Sequence, residues 1–214
     1  MNHADLKKIL SEGLSQLKLA QPLDNKQQDT LIKYVELLHK WNKAYNLTAV
    51  RKPEQMVVRH LLDSLSISPF IQGKKILDVG TGAGLPGIPL AILFPQRHFT
   101  LLDSNSKKTR FVVQASSELE LPNVDVVQSR VEEFQSADGF DTVITRAYSA
   151  IGTMVEQTAH LLLSGGVFLA MKGVNPTTEI EELATKYIVK ENHAIAVPGL
   201  EEERHLLEIK VKKE

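Results

Sequence analysis

The composition of this chain is that of an ordinary globular protein. It has 214 residues, of which 43% are hydrophobic and 24% charged, and its formal net charge is −1. This length suits one well-buried α/β domain with a small addition. The absence of cysteine excludes disulfides, thiolate metal sites and a cysteine nucleophile.

Neither a membrane segment nor a metal site is expected. No apolar run approaches the ~18 residues that cross a bilayer, and the first residues lack the basic and apolar regions of a signal peptide. The seven histidines form no HxxxH or HExxH pair, which argues against a bound metal ion. We therefore expect a cytoplasmic protein that binds no metal, and we expect a monomer.

The first 72 residues predict a helical extension that precedes a main domain of residues 73–214. Helical spacing indicates one helix over Asp5–Leu17 and a second from Asp24 to about Asn42. The apolar positions of the second helix are Leu31, Val35, Leu38 and Trp41. Lysines and acidic residues lie between them, so this helix is amphipathic and buries one face.

Charge is unevenly distributed along the chain. Residues 1–60 carry ten Lys and Arg against six Asp and Glu, whereas the remaining residues carry fifteen against twenty. A basic addition on an acidic domain can guide a polyanion to a localised patch. Lysines on solvated helix faces would produce the same count, so both explanations stay open.

The segment Arg59–Ser64 contains an arginine and an aspartate four residues apart. On a helix, Arg59 and Asp63 would lie on one face, so a simple intrahelical ion pair is one explanation of this segment. The spacing alone leaves open whether these side chains also border a binding site.

Four glycines follow a short apolar strand in the segment Ile76–Gly87, at positions 80, 82, 84 and 87. Glycine accepts positive φ and lets a ligand approach backbone N–H groups at the start of the next helix. The stretch Gly82–Gly87 satisfies the GxGxxG dinucleotide pattern. Asp78 precedes the first glycine by two residues, and its carboxylate suits a cationic ligand and would repel a pyrophosphate. The run DxGxGxG also resembles the glycine-rich signature of class I methyltransferases, which together with the acid favours their cofactor, S-adenosylmethionine, over a dinucleotide.

Asp103 ends the second predicted strand, 21 residues after Gly82. A carboxylate at this strand tip accepts hydrogen bonds from both hydroxyls of an adenosine ribose. A helix N-cap is the alternative, because a helix is expected to start nearby. Position relative to the glycines favours the ribose role, with capping left to Ser104 or Ser106.

Two further strand ends reach the same edge of the predicted sheet. The turn after the third strand faces the adenine in this topology, so a backbone N–H near Val131 or Glu132 is placed to meet the base; a solvated helix start is the alternative. Arg146 follows the fourth strand, and an ordinary surface salt bridge is its alternative explanation. Lys172 follows the fifth strand, and its position at the same edge suggests a binding role more weakly than for Arg146.

Strands alternate with helices from residue 74 onward, which predicts a parallel sheet covered on both faces. The predicted strands lie near 75–79, 98–102, 124–127, 141–145 and 167–171. A helix is expected near 177–188. The last two strands, at 194–197 and 204–211, are expected to form an antiparallel pair at the sheet edge. This arrangement resembles the class I methyltransferase fold, so we expect a Rossmann-like sheet of seven mostly parallel strands with an antiparallel last strand, plus N-terminal helices.

Several of these segments together resemble the ribosomal RNA small subunit methyltransferase G family, formerly called glucose-inhibited division protein B. The matching segments are Trp41–Thr48, Arg59–Leu65, the glycine turn through Leu90, and Thr145–Ala147. The resemblance implies methylation of guanine N7 in 16S ribosomal RNA with S-adenosylmethionine. The cofactor contacts that it implies are Gly80, Leu85, Val131, Glu132 and Arg146, with Asp103 on the ribose. Gly82 joins this set through the glycine pattern.

The residues present agree best with N7 as the nucleophile. Methylation of an exocyclic amine usually uses an Asn- or Asp-Pro-Pro-Tyr motif after the fourth strand, where this chain has Thr145-Arg146-Ala147-Tyr148. Methylation of pyrimidine C5 requires a cysteine, and a ribose oxygen requires a base, for which Lys172 is the obvious candidate. Guanine N7 holds a free lone pair and requires no base.

Arg146 is the candidate catalytic residue, and we expect it to contact the cofactor or an RNA phosphate. It should avoid the guanine ring, which becomes positively charged on N7 methylation. The side chains expected to border the RNA are Arg51, Lys52, Arg59, His60 and Lys172. A nicotinamide-dependent oxidoreductase, a non-catalytic ribosome-associated module and a methyltransferase of small molecules or proteins remain as alternatives.

Overall fold

The computed structural model describes residues 2–146 and 150–212. Ala147 and Tyr148, which belong to the predicted motif after the fourth strand, lie outside these residues. None of the helices in the described ranges is both long and apolar enough to cross a membrane.

The chain begins with a series of helices. They are α1 His3–Leu14, α2 Asn25–Tyr45, α3 Pro53–Met56, a π-helix Val57–Leu62, α4 Asp63–Ser66 and a 3-10 turn Ser68–Phe70. α2 begins where the sequence predicts, because Asp24 and Gln27 form a capping box in which each side chain accepts from the other residue's backbone N–H. It ends at Asn46, whose φ of 51° closes the helix in the left-handed region.

A seven-stranded sheet follows these helices. Its strands are β1 Lys75–Val79, β2 His98–Asp103, β3 Val124–Gln128, β4 Phe140–Arg146, β5 Leu162–Lys172, β6 Tyr187–Ala194 and β7 His205–Val211. Their spatial order is β3-β2-β1-β4-β5-β7-β6, with the first five parallel and β7 antiparallel to both neighbours. The order reverses between β1 and β4, so the carboxyl ends of these two strands mark the place where open α/β sheets bind ligands.

Apolar side chains fill both faces of the sheet. The helices between strands are α5 Gly87–Leu93, α6 Ser106–Glu118, α7 Ile151–Thr158, a 3-10 turn Ala159–Leu161 and α8 Thr177–Glu181. On one face, α1 and α2 share a continuous apolar cluster with α5, α6 and the sheet, while α7 packs in the cluster on the other face. The division into an extension of residues 1–72 and a domain of residues 73–214 stays a prediction. The N-terminal helices contribute to the same core as the sheet.

The predicted end of the chain is partly wrong. The helix expected near 177–188 stops at Glu181, and Tyr187–Ala194 form strand β6. Ile180, Leu183 and Tyr187 recur at helical spacing, which explains the error, but Tyr187 and Val189 alternate along a strand and pack on the second face of the sheet. Of the strand expected at 194–197, only Ala194 belongs to β6, whereas β7 lies where the sequence predicts.

Candidate active site

The glycine turn, residues 80–87, lies at the switch point of the sheet, which is the end of β1 beside which the strand order reverses. Gly80, Gly82 and Gly84 have φ angles of 69°, 61° and 88°, which residues with a Cβ rarely adopt. The backbone N–H groups of Gly80 and Thr81 donate to the carbonyl of Leu102 at 2.8 and 3.0 Å. These bonds join the turn to the end of β2 and fix its path before α5 begins.

Asp78 supports the turn from within the core. Its side chain is fully buried, and its Oδ2 accepts from the Thr81 hydroxyl at 2.7 Å and the Gly87 N–H at 2.9 Å. A Cβ at Gly87 would lie 2.8 Å from that oxygen and overlap the side chain of Leu101, so this position requires glycine. The burial of Asp78 excludes direct contact with a ligand, and its charge acts on a cationic ligand only through its field.

Burial also raises the pKa of Asp78 to about 6. The folded protein therefore binds the proton of the Asp78 carboxyl more tightly than the unfolded chain does. The stabilisation that this proton gives the folded state is fully present below pH 3.8 and is lost as the pH rises to about 6. We expect the free energy of unfolding of the native protein, relative to Asp78→Asn, to fall by about 2 kcal/mol between pH 4.5 and 7.5. Urea unfolding at several pH values measures this difference, and a pH-independent difference would contradict the assignment.

The second N-terminal helix contacts the turn directly. Tyr34 of α2 is fully buried and its hydroxyl donates to the carbonyl of Ala83 at 2.7 Å. Burial raises the pKa of this phenol, which keeps it protonated as a donor. Leu85, a predicted cofactor contact, is also buried, and its N–H donates to the carbonyl of Thr81 at 2.9 Å. Its contact with a cofactor therefore stays a prediction.

Asp103 lies at the tip of β2 and holds two backbone groups. Its Oδ2 accepts from the Gly82 N–H at 2.9 Å, and its Oδ1 accepts from the Asn105 N–H at 2.8 Å. The N-cap of α6 is Asn105, whose side chain accepts from Lys107 and Lys108, so capping by Ser104 or Ser106 is wrong. Asp103 therefore does not cap the helix, and each of its carboxylate oxygens keeps a lone pair for a ligand.

A cavity of about 210 Å³ opens beside Asp103. It is lined by Val79, Gly80, Leu102, Asp103, Ser104, Ser129, Arg130, Val131 and Glu132. Val131 is buried, while Glu132 is exposed and accepts from the Gln157 amide at 2.7 Å. Residues 131–133 form a turn, so the alternative of a helix start at this point is wrong. The structure thus brings four of the predicted cofactor residues, Gly80, Asp103, Val131 and Glu132, to one cavity, and Gly82 adjoins it through Asp103.

A second cavity, of about 360 Å³, lies at the carboxyl ends of β4 and β5. Its lining consists of Val50, Arg59, His60, Asp63, Arg146, Met171, Lys172, Gly173 and Arg204. The Nη1 of Arg146 lies 3.3 Å from the Oδ2 of Asp63 and 3.4 Å from the carbonyl of Arg59. Asp63 is buried, so Arg146 does not form the ordinary surface salt bridge that was the alternative explanation.

The proposed ion pair between Arg59 and Asp63 is wrong. Arg59 pairs with Glu202, and Asp63 accepts from Arg204 Nε at 3.0 Å and from Arg146. The segment from Val57 to Leu62 is π-helical, and a π-helix has more residues per turn, so side chains four residues apart no longer align.

His60 lies beneath the second cavity rather than at its rim. Its Nδ1 lies 3.0 Å from the carbonyl of Arg59 and therefore donates, which leaves Nε2 to accept from the Thr48 hydroxyl at 2.9 Å. Burial, reinforced by the charge of Arg146, lowers the pKa of His60 to about 4. The ring is therefore neutral at pH 7 and supplies no positive charge to an RNA phosphate; its place beside RNA stays a prediction.

The other predicted RNA residues surround this cavity or lie near it. Arg51 donates to the carbonyl of Asn42 and the side chain of Asn46, and Lys52 is exposed before α3. Neither lines the cavity. Lys172 lines it and pairs with Glu179 at 2.8 Å. No group of three potential metal ligands occurs among the described residues.

Sequence reasoning missed Arg204 and the role of Asp63 at this cavity. The register of the antiparallel pair places His205 of β7 opposite Lys172 of β5, so Arg204 reaches the same sheet edge as Arg146. The expected antiparallel last strand was the available signal for Arg204. A partner for Asp63 so far along the chain had no signal in the local sequence.

The strand order with an antiparallel seventh strand is that of the class I methyltransferases. A glycopeptide N-methyltransferase, MtfA, in complex with S-adenosylmethionine, aligns with a TM-score of 0.61 at 14% identity, covering 72% of this chain and 88% of that one. A Pyrococcus abyssi tRNA (uracil-54, C5)-methyltransferase aligns with a TM-score of 0.54 at 20% identity, covering 74% and 39%. At these identities the similarity establishes the fold, and the predicted fold class is confirmed.

The sequence identifies the family more narrowly. The family model of rRNA small subunit methyltransferase G matches residues 27–207. Proteins of that name are 54% identical in Saccharophagus degradans, over 90% of this chain and 86% of that protein, and 52% identical in Shigella dysenteriae serotype 1, over 90% and 93%. The chain belongs to the rRNA small subunit methyltransferase G family. The predicted family, the enzyme class and S-adenosylmethionine as its cofactor are confirmed, and neither comparison supports an oxidoreductase or a non-catalytic module.

Proposed function

We propose that this protein transfers a methyl group from S-adenosylmethionine to N7 of a guanosine in 16S ribosomal RNA. The observation that carries the proposal is the match of most of the chain to a family of small-subunit rRNA methyltransferases. Two cavities at the carboxyl-terminal edge of the sheet support it, one beside Asp103 and one beside Arg146.

The residues of the first cavity fit the cofactor. Asp103 offers carboxylate lone pairs to the two ribose hydroxyls, and the positive-φ glycines 80, 82 and 84 allow a ligand to approach the backbone. Val131 and Glu132 line the cavity, and we propose that their backbone meets the adenine. When bound, the sulfonium supplies a methyl group that is activated for in-line displacement.

The residues of the second cavity favour a nucleophile that needs no deprotonation. Among its described lining residues, His60 has Nε2 engaged by the Thr48 hydroxyl, and Asp63 is held by two guanidinium groups. Lys172 forms an ion pair with Glu179 at 2.8 Å, so its amine is engaged there rather than directed at a ribose hydroxyl. Guanine N7 carries a free lone pair, so alignment at about 3 to 3.5 Å is the main contribution required of the protein.

Arg146 lines the second cavity at the end of β4, where the preceding residue, Thr145, pairs with Val79 of the first cavity. We propose that it contacts the cofactor or an RNA phosphate. Direct contact with the guanine ring would oppose the positive charge that develops there during N7 methylation. Arg59, Lys172, Arg51 and Lys52 complete the proposed RNA border, with cytoplasmic 16S RNA, free or in the small subunit, as the partner of a monomer.

Incubation with methyl-labelled cofactor tests the proposal. The acceptors are unmethylated 16S RNA, free and within small subunits, and digestion to nucleosides followed by mass spectrometry identifies the product. We expect label in 7-methylguanosine at a single position. Label in a different nucleoside, or no label in either acceptor, would refute the proposed reaction.

The cations next to the second cavity make a separate prediction about salt dependence. If Arg51 and Lys52 each neutralise one phosphate, changing both to alanine should reduce the slope of log affinity against log salt by about 1.4 to 1.8. Lys74→Ala with Lys75→Ala is the matched control, because these lysines lie at the opposite, amino-terminal edge of the sheet. An unchanged slope for the first pair would remove Arg51 and Lys52 from the RNA interface.

A further inference from the structure

We propose that Asp63 is a positioning residue that holds the guanidinium of Arg146 in its working orientation. The proposal rests on the proposed function of Arg146 as a contact to cofactor or RNA. It assigns to Asp63 no contact with either, because only 3% of this residue is exposed.

Asp63 joins three segments that are distant along the chain. It begins α4, while Arg146 ends β4 and Arg204 precedes β7. Each carboxylate oxygen receives one guanidinium, with Oδ2 at 3.3 Å from Arg146 Nη1 and Oδ1 at 3.0 Å from Arg204 Nε. The carboxylate therefore fixes the ends of two strands relative to each other.

The contacts of Arg146 orient its planar group. Both of its hydrogen bonds within the described residues, to Asp63 and to the carbonyl of Arg59, use Nη1. A guanidinium has five N–H donors in a rigid fork, so fixing Nη1 leaves Nε and Nη2 for a ligand in a defined plane. The side chain remains 24% exposed, which gives a ligand access to it.

The surrounding charge explains why a carboxylate is needed. Arg59, Arg146, Lys172 and Arg204 all line the same cavity, and Asp63 is the carboxylate among its described lining residues. Arg59 and Lys172 also pair with Glu202 and Glu179, whereas the salt bridges of Arg146 and Arg204 within the described residues both go to Asp63. Without Asp63, repulsion between these two guanidinium groups would favour rotation of Arg146 toward solvent. A buried carboxylate that is removed also leaves its former partners without compensation, which is costly in a site shielded from water.

A purely structural role is the competing explanation, in which Asp63 only attaches the segment before β7 through Arg204. A double-mutant cycle on binding separates the two explanations, because coupling appears only between groups that act through each other. Arg146→Ala should weaken binding of one ligand, either S-adenosylmethionine or 16S RNA. We expect Asp63→Asn to reduce the affinity for that same ligand by about tenfold. In the Arg146→Ala background, Asp63→Asn should change that affinity less than twofold.

Asp141→Asn is the matched control for the cycle. Asp141 accepts from two backbone N–H groups at the opposite edge of the sheet, so its effect should be the same with and without Arg146. Equal effects of Asp63→Asn in both backgrounds, or an Arg146→Ala variant with both affinities unchanged, would overturn the proposal. Because the readout is binding, a failure to find 7-methylguanosine would refute the proposed reaction without deciding the role of Asp63.

A second variant addresses the stability of Asp63→Asn. Combining Asp63→Asn with Arg204→Gln replaces the ion pair by two amides, which can hydrogen-bond to each other and keep the segment before β7 attached. We expect this double variant to fold, which circular dichroism and thermal unfolding can verify. If Asp63 positions Arg146, the double variant also retains the roughly tenfold loss of affinity. Native affinity in the double variant would show that the attachment of that segment is the only role of Asp63.

Discussion

Changing Asp103 to alanine should lower the affinity for S-adenosylmethionine by about 100-fold, the largest effect that we expect on cofactor binding. Two losses add. The ribose hydroxyls lose their charged acceptor, and the Gly82 N–H loses the bond of 2.9 Å that holds the glycine turn against β2. Hydrogen bonds to charged groups contribute about 1.5 to 3 kcal/mol each, so the loss of two ribose bonds at the lower end of this range, about 3 kcal/mol, accounts for the size of the effect.

Calorimetric titration of the free protein with the cofactor measures this change without RNA. Asp125→Ala is a suitable control, since Asp125 is an exposed carboxylate on the neighbouring strand β3 and pairs with His98. Its affinity should stay within about twofold of the native value, as for surface charges away from a site. An Asp103→Ala variant that binds within threefold of the native protein would show that the ribose does not lie at this carboxylate.

Changing Arg146 to alanine should lower kcat/KM for RNA methylation by about 100-fold to 1000-fold, comparable to the loss of one preorganised donor in other active sites. The loss should appear with a weaker affinity for either the cofactor or the RNA. The physical reason is the position of the guanidinium at the end of β4, where its Nε and Nη2 donors and its charge face the cavity that we propose for the ligand. Arg110→Ala, an exposed arginine on α6, is the control for loss of charge alone.

For Arg146→Ala, it matters more which quantities change, affinity or turnover, than how large the changes are. An Arg146→Ala protein that keeps both affinities and loses only turnover would refute the proposed contact with cofactor or phosphate. It would place Arg146 at the reacting atoms instead, where a positive charge opposes the formation of 7-methylguanosine.

The sheet and its first cavity were predictable because their signals are local. The strand of residues 75–79 leads directly into closely spaced glycines, and the next strand ends on Asp103, so the order of the elements places both at one edge. Asn105 was missed as the N-cap because Ser104, Asn105 and Ser106 are all competent caps, and the backbone conformation decides among them.

The second cavity was less predictable because its contacts join distant parts of the chain. Asp63 pairs with Arg146 and Arg204, and the local spacing to Arg59 suggested a different partner. The π-helical turn that breaks the Arg59–Asp63 alignment has no simple sequence signature. Likewise, the hydrogen bond from Tyr34 to the glycine turn depends on how α2 packs on the sheet.

A crystal structure with S-adenosylhomocysteine bound tests the account most directly. The ligand should lie against the Gly80–Gly87 turn, with both ribose hydroxyls within hydrogen-bonding distance of Asp103 and the adenine beside Val131. Its sulfur should face the cavity that Arg146 lines, where the guanine must enter. A ligand bound elsewhere, or in this cleft with its sulfur directed away from Arg146, would contradict the account.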